Sequence, residues 1–211
     1  MRLRIRYQLA LLLTVAAVSA VPAGAQAASG QPSTTDPKPY RAEIAGGYTY
    51  VHSNVPPGGC GCFNMSGGNG TFAWFLPSAN PAKLGSFALV GDVAITHAGT
   101  VSASGETLTL STFTAGARYL PRLNHSPLQP FGQVLIGLAH SSGSLVQGAN
   151  PGAANGGASF ASIFGGGADL KATPRISIRL IEADYLFTTV DNGSNNRQNN
   201  LRISAGVVVH F

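Results

Sequence analysis

Charge is scarce in this chain. Only 10% of its 211 residues are Asp, Glu, Lys or Arg, although 44% are hydrophobic. Ordinary soluble domains carry roughly 25% charged residues, so an ordinary water-facing surface is hard to build from this pool. Disorder is excluded as well, because disordered chains are poor in apolar residues and rich in charge. Long apolar runs are also missing after the first two dozen residues, and a membrane helix needs about 18 or more. Cysteine is limited to Cys60 and Cys62, without the companion Cys or His spacing that a zinc site requires. His97, His125 and His210 are scattered and form no ligand cluster.

What is present begins with an address. Arg2, Arg4 and Arg6 precede an apolar stretch from Leu9 to Val21, and Ala25-Gln26-Ala27 follows. That order is a secretory signal peptide over residues 1–27. Its removal takes three of the 13 basic residues, leaving ten against eight acidic ones. A nucleic-acid partner is therefore not indicated. Residues 28–39 (ASGQPSTTDPKP) form a small, polar, proline-rich lead-in. With no further compositional break, residues 40–211 constitute one domain.

That domain alternates with period two, the signal of strands. Eight segments are expected: Tyr40–His52, Thr71–Leu76, Gly85–Thr96, Leu108–Tyr119, Pro130–Ser141, Ser159–Lys171, Arg175–Thr188 and Asn200–Phe211. In the last, Leu201, Ile203, Val207, Val209 and Phe211 face one way, and Arg202, Ser204, Gly206 and His210 the other. The seventh breaks its own parity, since Arg179 and Glu182 can share a face only with an extra residue near Leu180-Ile181. A β-bulge is predicted there.

The parities concentrate charge on one face: Arg41, Glu43, Asp92, Arg118, Asp169, Lys171, Arg175, Arg179, Glu182, Asp184 and Arg202. The charges left over after signal cleavage are Asp36, Lys38, Lys83, Glu106, Arg122, Asp191 and Arg197, all in the lead-in or in connections. Lipid offers no partners to backbone N–H and C=O groups, so strands cross it only as a closed cylinder. The reading is an all-β, eight-stranded antiparallel up-and-down transmembrane β-barrel, apolar outside and polar inside. Tyr40, Trp74, Tyr119 and Phe211 fall at one rim; Tyr48, Tyr50, Phe160, Tyr185 and Phe187 fall towards the other, as interfacial girdles should. Connections alternate long and short, with the long ones outside, and both termini are expected in the periplasm.

The terminal strand LRISAGVVVHF and the segments GGGADL, RISIRLIEADYL and PFGQVLIG resemble the OmpA-type eight-stranded outer-membrane barrels, in their barrel-only form, over about Tyr40 to Phe211. The resemblance implies a bacterial outer-membrane location, contact with outer-membrane lipid and lipopolysaccharide, and a monomer. It also implies that Phe211, the final aromatic residue, is read by the barrel-assembly machinery. No peptidoglycan-binding domain is seen after the barrel, which counts against a role in cell-wall tethering. No cofactor is implied.

For function, the inward charges read as a salt-bridge core filling a narrow lumen, or alternatively as the constriction of a narrow, low-conductance pore. Cys60 and Cys62 read as a loop disulfide, a free or intermolecular thiol pair, or a redox or metal element. An enzyme is not expected. The one hydrolase pattern, His140 with Ser142 on a shared outward face, has no carboxylate placed by sequence to orient the imidazole, and His52 at the matching end of the first strand is equally plain. GGNG and GGGADL lack the following helix that a phosphate cradle needs.

Overall fold

The computed structural model describes residues 40–54, 62–77, 85–101, 105, 107–123, 126–143, 158–190 and 196–211. The signal segment, the lead-in, Cys60 and the centres of several connections lie outside them. Eight strands run in chain order: β1 Ala42–Asn54, β2 Cys62–Phe75, β3 Ser86–Ala98, β4 Leu108–Leu120, β5 Leu128–Ser142, β6 Ser159–Lys171, β7 Ile176–Thr188 and β8 Gln198–His210. Each pairs antiparallel with its chain neighbour, and β1 pairs with β8, closing the barrel. At the seam, the Arg41 N–H donates to Phe211 O (2.8 Å) and the Phe211 N–H donates to Ala42 O (2.9 Å).

The register fixes the shape. Following paired residues once round the barrel leads from Glu43 through Ala73, Val90, Gly116, Leu135, Ile163, Leu186 and Asn200 to Ser53, ten residues further along β1. With eight strands, that stagger corresponds to a strand tilt of about 40° and roughly 16 Å between opposite backbones. Such a bore is just wide enough for side chains to fill.

β2 begins at Cys62, nine residues before the expected start at Thr71, so the first connection is 55–61 and not the long loop expected. The reason is an inversion of the lining. Along Cys62–Gly70 the apolar residues, Phe63 and Met65, point inward, whereas Asn64, Ser66 and Gly68 point outward. The same exchange occurs at this end of β1 (Val51 in, His52 out), β4 (Leu110 in, Ser111 out) and β5 (Ala139 in, His140 out). This is the loop end, carrying connections 55–61, 99–107, 143–158 and 189–197. The turn end carries 76–85, 121–127 and 172–175. Strict long–short alternation therefore fails for the first two connections, although the four loop-end segments are together the longer set.

Below the inversion the outward side chains are apolar. Along β8 the run from Leu201 to Phe211 covers roughly 33 Å of strand and roughly 25 Å along the barrel axis, which matches the apolar band of a membrane barrel. Trp74, Phe87, Tyr119 and Phe211 stand outward near the turn end, and Tyr48, Phe160 and Tyr185 towards the loop end. Tyr40 instead stacks on His210, ring centroids 4.7 Å apart, and its hydroxyl donates to Pro174 O.

Inside, the loop-end half is closed by an apolar cluster that includes Val51, Phe63, Met65, Leu110, Leu135, Ala139, Ala161, Ile163 and Leu186. The same cluster reaches Ala73, Ala88 and Val90 towards the turn end, and Ser53, Thr96, Ser141, Thr188 and Asn200 are buried beside it in the loop-end half. The lumen there is therefore mixed, where a uniformly polar interior was expected.

Candidate functional site in the barrel lumen

Eight of the eleven residues expected inside are buried: Glu43, Asp92, Arg118, Asp169, Arg179, Glu182, Asp184 and Arg202. The other three, Arg41, Lys171 and Arg175, are exposed at the turn-end rim. Their parity was read correctly, but each lies at or beyond a strand end, where a long cationic side chain reaches water. Arg41 therefore belongs to the rim and takes no part in the buried network.

The network is continuous. Arg202 Nη1 donates to Asp92 Oδ1 (2.7 Å), its Nη2 to Asp184 Oδ2 (2.7 Å) and Glu182 Oε1 (3.1 Å), and its Nε to Asp184 Oδ2 (3.0 Å). Arg179 makes a bidentate pair with Asp169 (2.9 and 3.0 Å) and donates to Glu182 Oε2 (2.7 Å). Arg118 Nη1 donates to Glu43 Oε1 (2.7 Å), and Arg179 Nη2 lies 3.8 Å from the same oxygen. Bidentate and charge-assisted bonds of this kind are the strong ones, and burial makes each partner depend on the others.

Two residues complete it that sequence reasoning did not single out. Gln133 accepts from Arg118 Nε and Nη2 (3.1 and 2.8 Å) and donates to Glu182 Oε1 and Asp184 Oδ1 (both 3.1 Å). Phe131 lies between two guanidiniums, Arg118 Cζ at 4.3 Å and Arg179 Cζ at 4.6 Å from its ring centroid. Alternation puts Gln133 on the polar face opposite Val134, Ile136 and Leu138, but, being uncharged, neither it nor Phe131 was counted in the network.

Local backbone makes this possible. The β7 register shifts between Arg179 and Glu182 against both neighbouring strands, so Leu180 and Ile181 both point outward and the two flanking charges both point inward. This is the bulge that the parity break predicts. Across from β7, Gly165 pairs with Asp184 and Gly167 with Glu182. A Cβ at Gly165 would stand 2.1 Å from Asp184 Oδ1 and 2.4 Å from Ala183 O, so only glycine leaves room for that carboxylate.

An all-antiparallel closed cylinder of eight strands, with charges sealed inside and an apolar belt outside, defines the architecture. The fold is an eight-stranded transmembrane β-barrel. Neisserial surface protein A has a similar structure: TM-score 0.57, 15% identity, 81% of this chain and 97% of that one covered. Ail, the attachment invasion locus protein of Yersinia pestis, aligns at TM-score 0.49 and 16% identity over 81% and 99% of the two chains. OprG, an outer-membrane protein of Pseudomonas aeruginosa, aligns at TM-score 0.44 and 11% identity over 81% and 95%. No protein-family model and no curated protein matches the chain.

The remaining candidates are readily located. His140 and Ser142 both stand outward at the loop end of the barrel, but every described Asp and Glu side chain lies in its lumen, so none of these orients the imidazole. GGNG lies within β2 and GGGADL within β6, as strand rather than phosphate loop. Cys62 is exposed at the start of β2, and Cys60, its expected partner, is outside the described residues. Among the described residues no cluster of His, Cys, Asp or Glu could hold a metal ion.

Proposed function

We propose that this barrel is a small integral protein of the bacterial outer membrane with a structural or surface-interaction role, its lumen sealed by the charge network. The observation that carries the reading is the double closure of the lumen. A continuous ion network is stacked under an apolar cluster, so an ion would have to displace both. In this reading the turn end and both termini face the periplasm and the longer loop-end segments face outward, in line with the general pattern of such barrels. Lipid and lipopolysaccharide are the surrounding partners, Phe211 is the assembly signal, and catalysis has no part.

A narrow pore is the second reading, and one observation favours it. Asp92 Oδ2, Thr71 Oγ1, Thr112 Oγ1, Thr114 Oγ1 and Asn200 Oδ1 are buried in the lumen without a hydrogen-bond partner, and such oxygens suit a file of water. Planar-bilayer recording of the refolded protein separates the two. The sealed reading expects no open-channel steps from the wild type and none from Arg179→Ala; steady steps in the wild type would replace it with the pore. Incubation with lipopolysaccharide should release no fatty acid, and release would restore the hydrolase reading of His140 and Ser142.

A further inference from the structure

The inversion of the lining leaves a specific set of side chains on the outside of the loop end. His52 of β1 pairs with Asn64 of β2, and its Nδ1 lies 2.7 Å from Asn64 Oδ1. Two positions on, Ser66 pairs with His97 of β3, whose Nδ1 lies 2.9 Å from Thr109 Oγ1 of β4. Two positions further, Ser111 pairs with His140 of β5. The register therefore draws one unbroken outward arc over five strands: His52, Asn64, Ser66, His97, Thr109, Ser111 and His140. It sits one outward position above Tyr50, Gly68, Ile95, Phe113 and Leu138, where the apolar band ends.

At the same level β6 and β7 present Phe160 and Phe187, so the arc is confined to one side of the barrel. It is built of imidazoles, hydroxyls and an amide, and no described Asp or Glu side chain reaches this face, since all of them lie in the lumen. A row rich in donors, free of acid and level with the headgroups of the adjacent leaflet fits a phosphorylated headgroup.

Resting on the outer-membrane reading, we infer that the His52–His97–His140 arc is a binding site for the phosphate groups of the outer-leaflet glycolipid, engaged when the imidazoles are protonated. Histidine is the side chain that changes charge between pH 5 and 8, and an imidazolium donates from both nitrogens, so one can hold the neighbouring strand while the other meets phosphate. The groups facing the imidazoles are Asn64 and Leu201 for His52, Ser66 and Thr109 for His97, and Ser111 for His140. None of them titrates in that range. The nearest described titratable neighbours on this face, Tyr50 and Cys62, stand one outward position along β1 and β2 from His52 and Asn64.

The test measures retention of lipid A on the refolded full chain in phosphatidylcholine nanodiscs, by native mass spectrometry. At pH 5.5 the wild type should hold bisphosphorylated lipid A about a hundredfold more tightly than His52→Gln/His97→Gln/His140→Gln, at about fivefold per basic side chain at a charged membrane surface. The single variant His97→Gln should lose about fivefold. The gap should vanish at pH 8.5, and lipid A stripped of its phosphates should be held no better by the wild type than by the triple variant. Equal retention by wild type and both variants at pH 5.5 would overturn the site. Binding of free inorganic phosphate as tight as that of lipid A, and lost in the same variants, would overturn its assignment to lipid. Gln keeps a hydrogen-bonding head, and a cold-gel heat-modifiable shift verifies that each variant is folded. A wild type that shows the shift but retains no lipid A removes the arc and leaves the outer-membrane reading standing, whereas a wild type that fails to refold into bilayers removes that reading itself.

Discussion

Replacing Arg202 by Gln tests whether the ion network holds the barrel together. Arg202 is fully buried and donates to three carboxylates on β3 and β7. Without its guanidinium, Asp92 loses its only described donor, because Oδ2 already has none. Asp184 keeps only Gln133, while Glu182 keeps Arg179 and Gln133. Removing one partner from a buried ion pair typically costs about 3–5 kcal/mol, most of it the charge left behind. With a urea slope of about 1–3 kcal/mol per molar, the unfolding midpoint in micelles should fall by roughly 2 M. Arg122→Gln, at an exposed cation of the turn-end rim, should stay within about 0.5 kcal/mol of wild type. Adding Asp92→Asn to Arg202→Gln removes the stranded charge and should restore part of the loss, a coupling of about 1–3 kcal/mol. If Arg202→Gln costs less than about 1 kcal/mol, as exposed pairs do, the lumen is hydrated and the network is no core.

Deleting Ile181 removes the extra residue and leaves Arg179, Glu182 and Asp184 in regular inward alternation against both neighbouring strands, so the deletion should keep the heat-modifiable folded form on cold gels. Loss of that form would refute the reading of Leu180-Ile181 as one residue too many for a regular strand. Gly165→Ala should destabilise by about 1–3 kcal/mol through overpacking against Asp184, whereas Gly46→Ala, with its nearest neighbour at 3.8 Å, should be close to neutral in the same urea titration. Val134→Arg, outward in the middle of β5, should cost about 2–4 kcal/mol in lipid, and Ile176→Arg near the turn-end rim at most about 1 kcal/mol. Equal costs at the two sites would contradict the placing of the apolar band.

The fold was readable because one rule, apolar out and polar in, operates over most of each strand. Leu201 to Phe211 show it on every outward position, with Val208 the one apolar residue among the inward ones, and at Arg179–Glu182 the rule was strong enough for its violation to signal a bulge. It failed where the physics changes. At Phe63 and Met65 the outside is wet and the inside is packed, so the alternation persists with its sense reversed, and the segment passed for a glycine-rich loop. Arg41, Lys171 and Arg175 carry the correct parity but lie at strand ends, where burial no longer follows from it. Within the network, charge marked most of the members; Gln133 and Phe131 could be recognised only once the register had brought β5 beside Arg118 and β7.

The reversal of the lining on β5 gives the most direct test of the two-zone barrel. Single cysteines at Val134, Leu135, Ile136, Leu138, Ala139, His140 and Ser142, in a Cys60→Ser/Cys62→Ser background, would carry spin labels on the refolded protein in bilayers. Power saturation would then compare collision with lipid-soluble oxygen and with a water-soluble nickel chelate. Labels at Val134, Ile136 and Leu138 should meet oxygen, those at His140 and Ser142 should meet nickel, and those at Leu135 and Ala139 should be shielded from both. Nickel access at Leu135 and Ala139 would contradict the sealed lumen, and nickel access at Val134 and Ile136 would contradict a membrane-spanning barrel altogether.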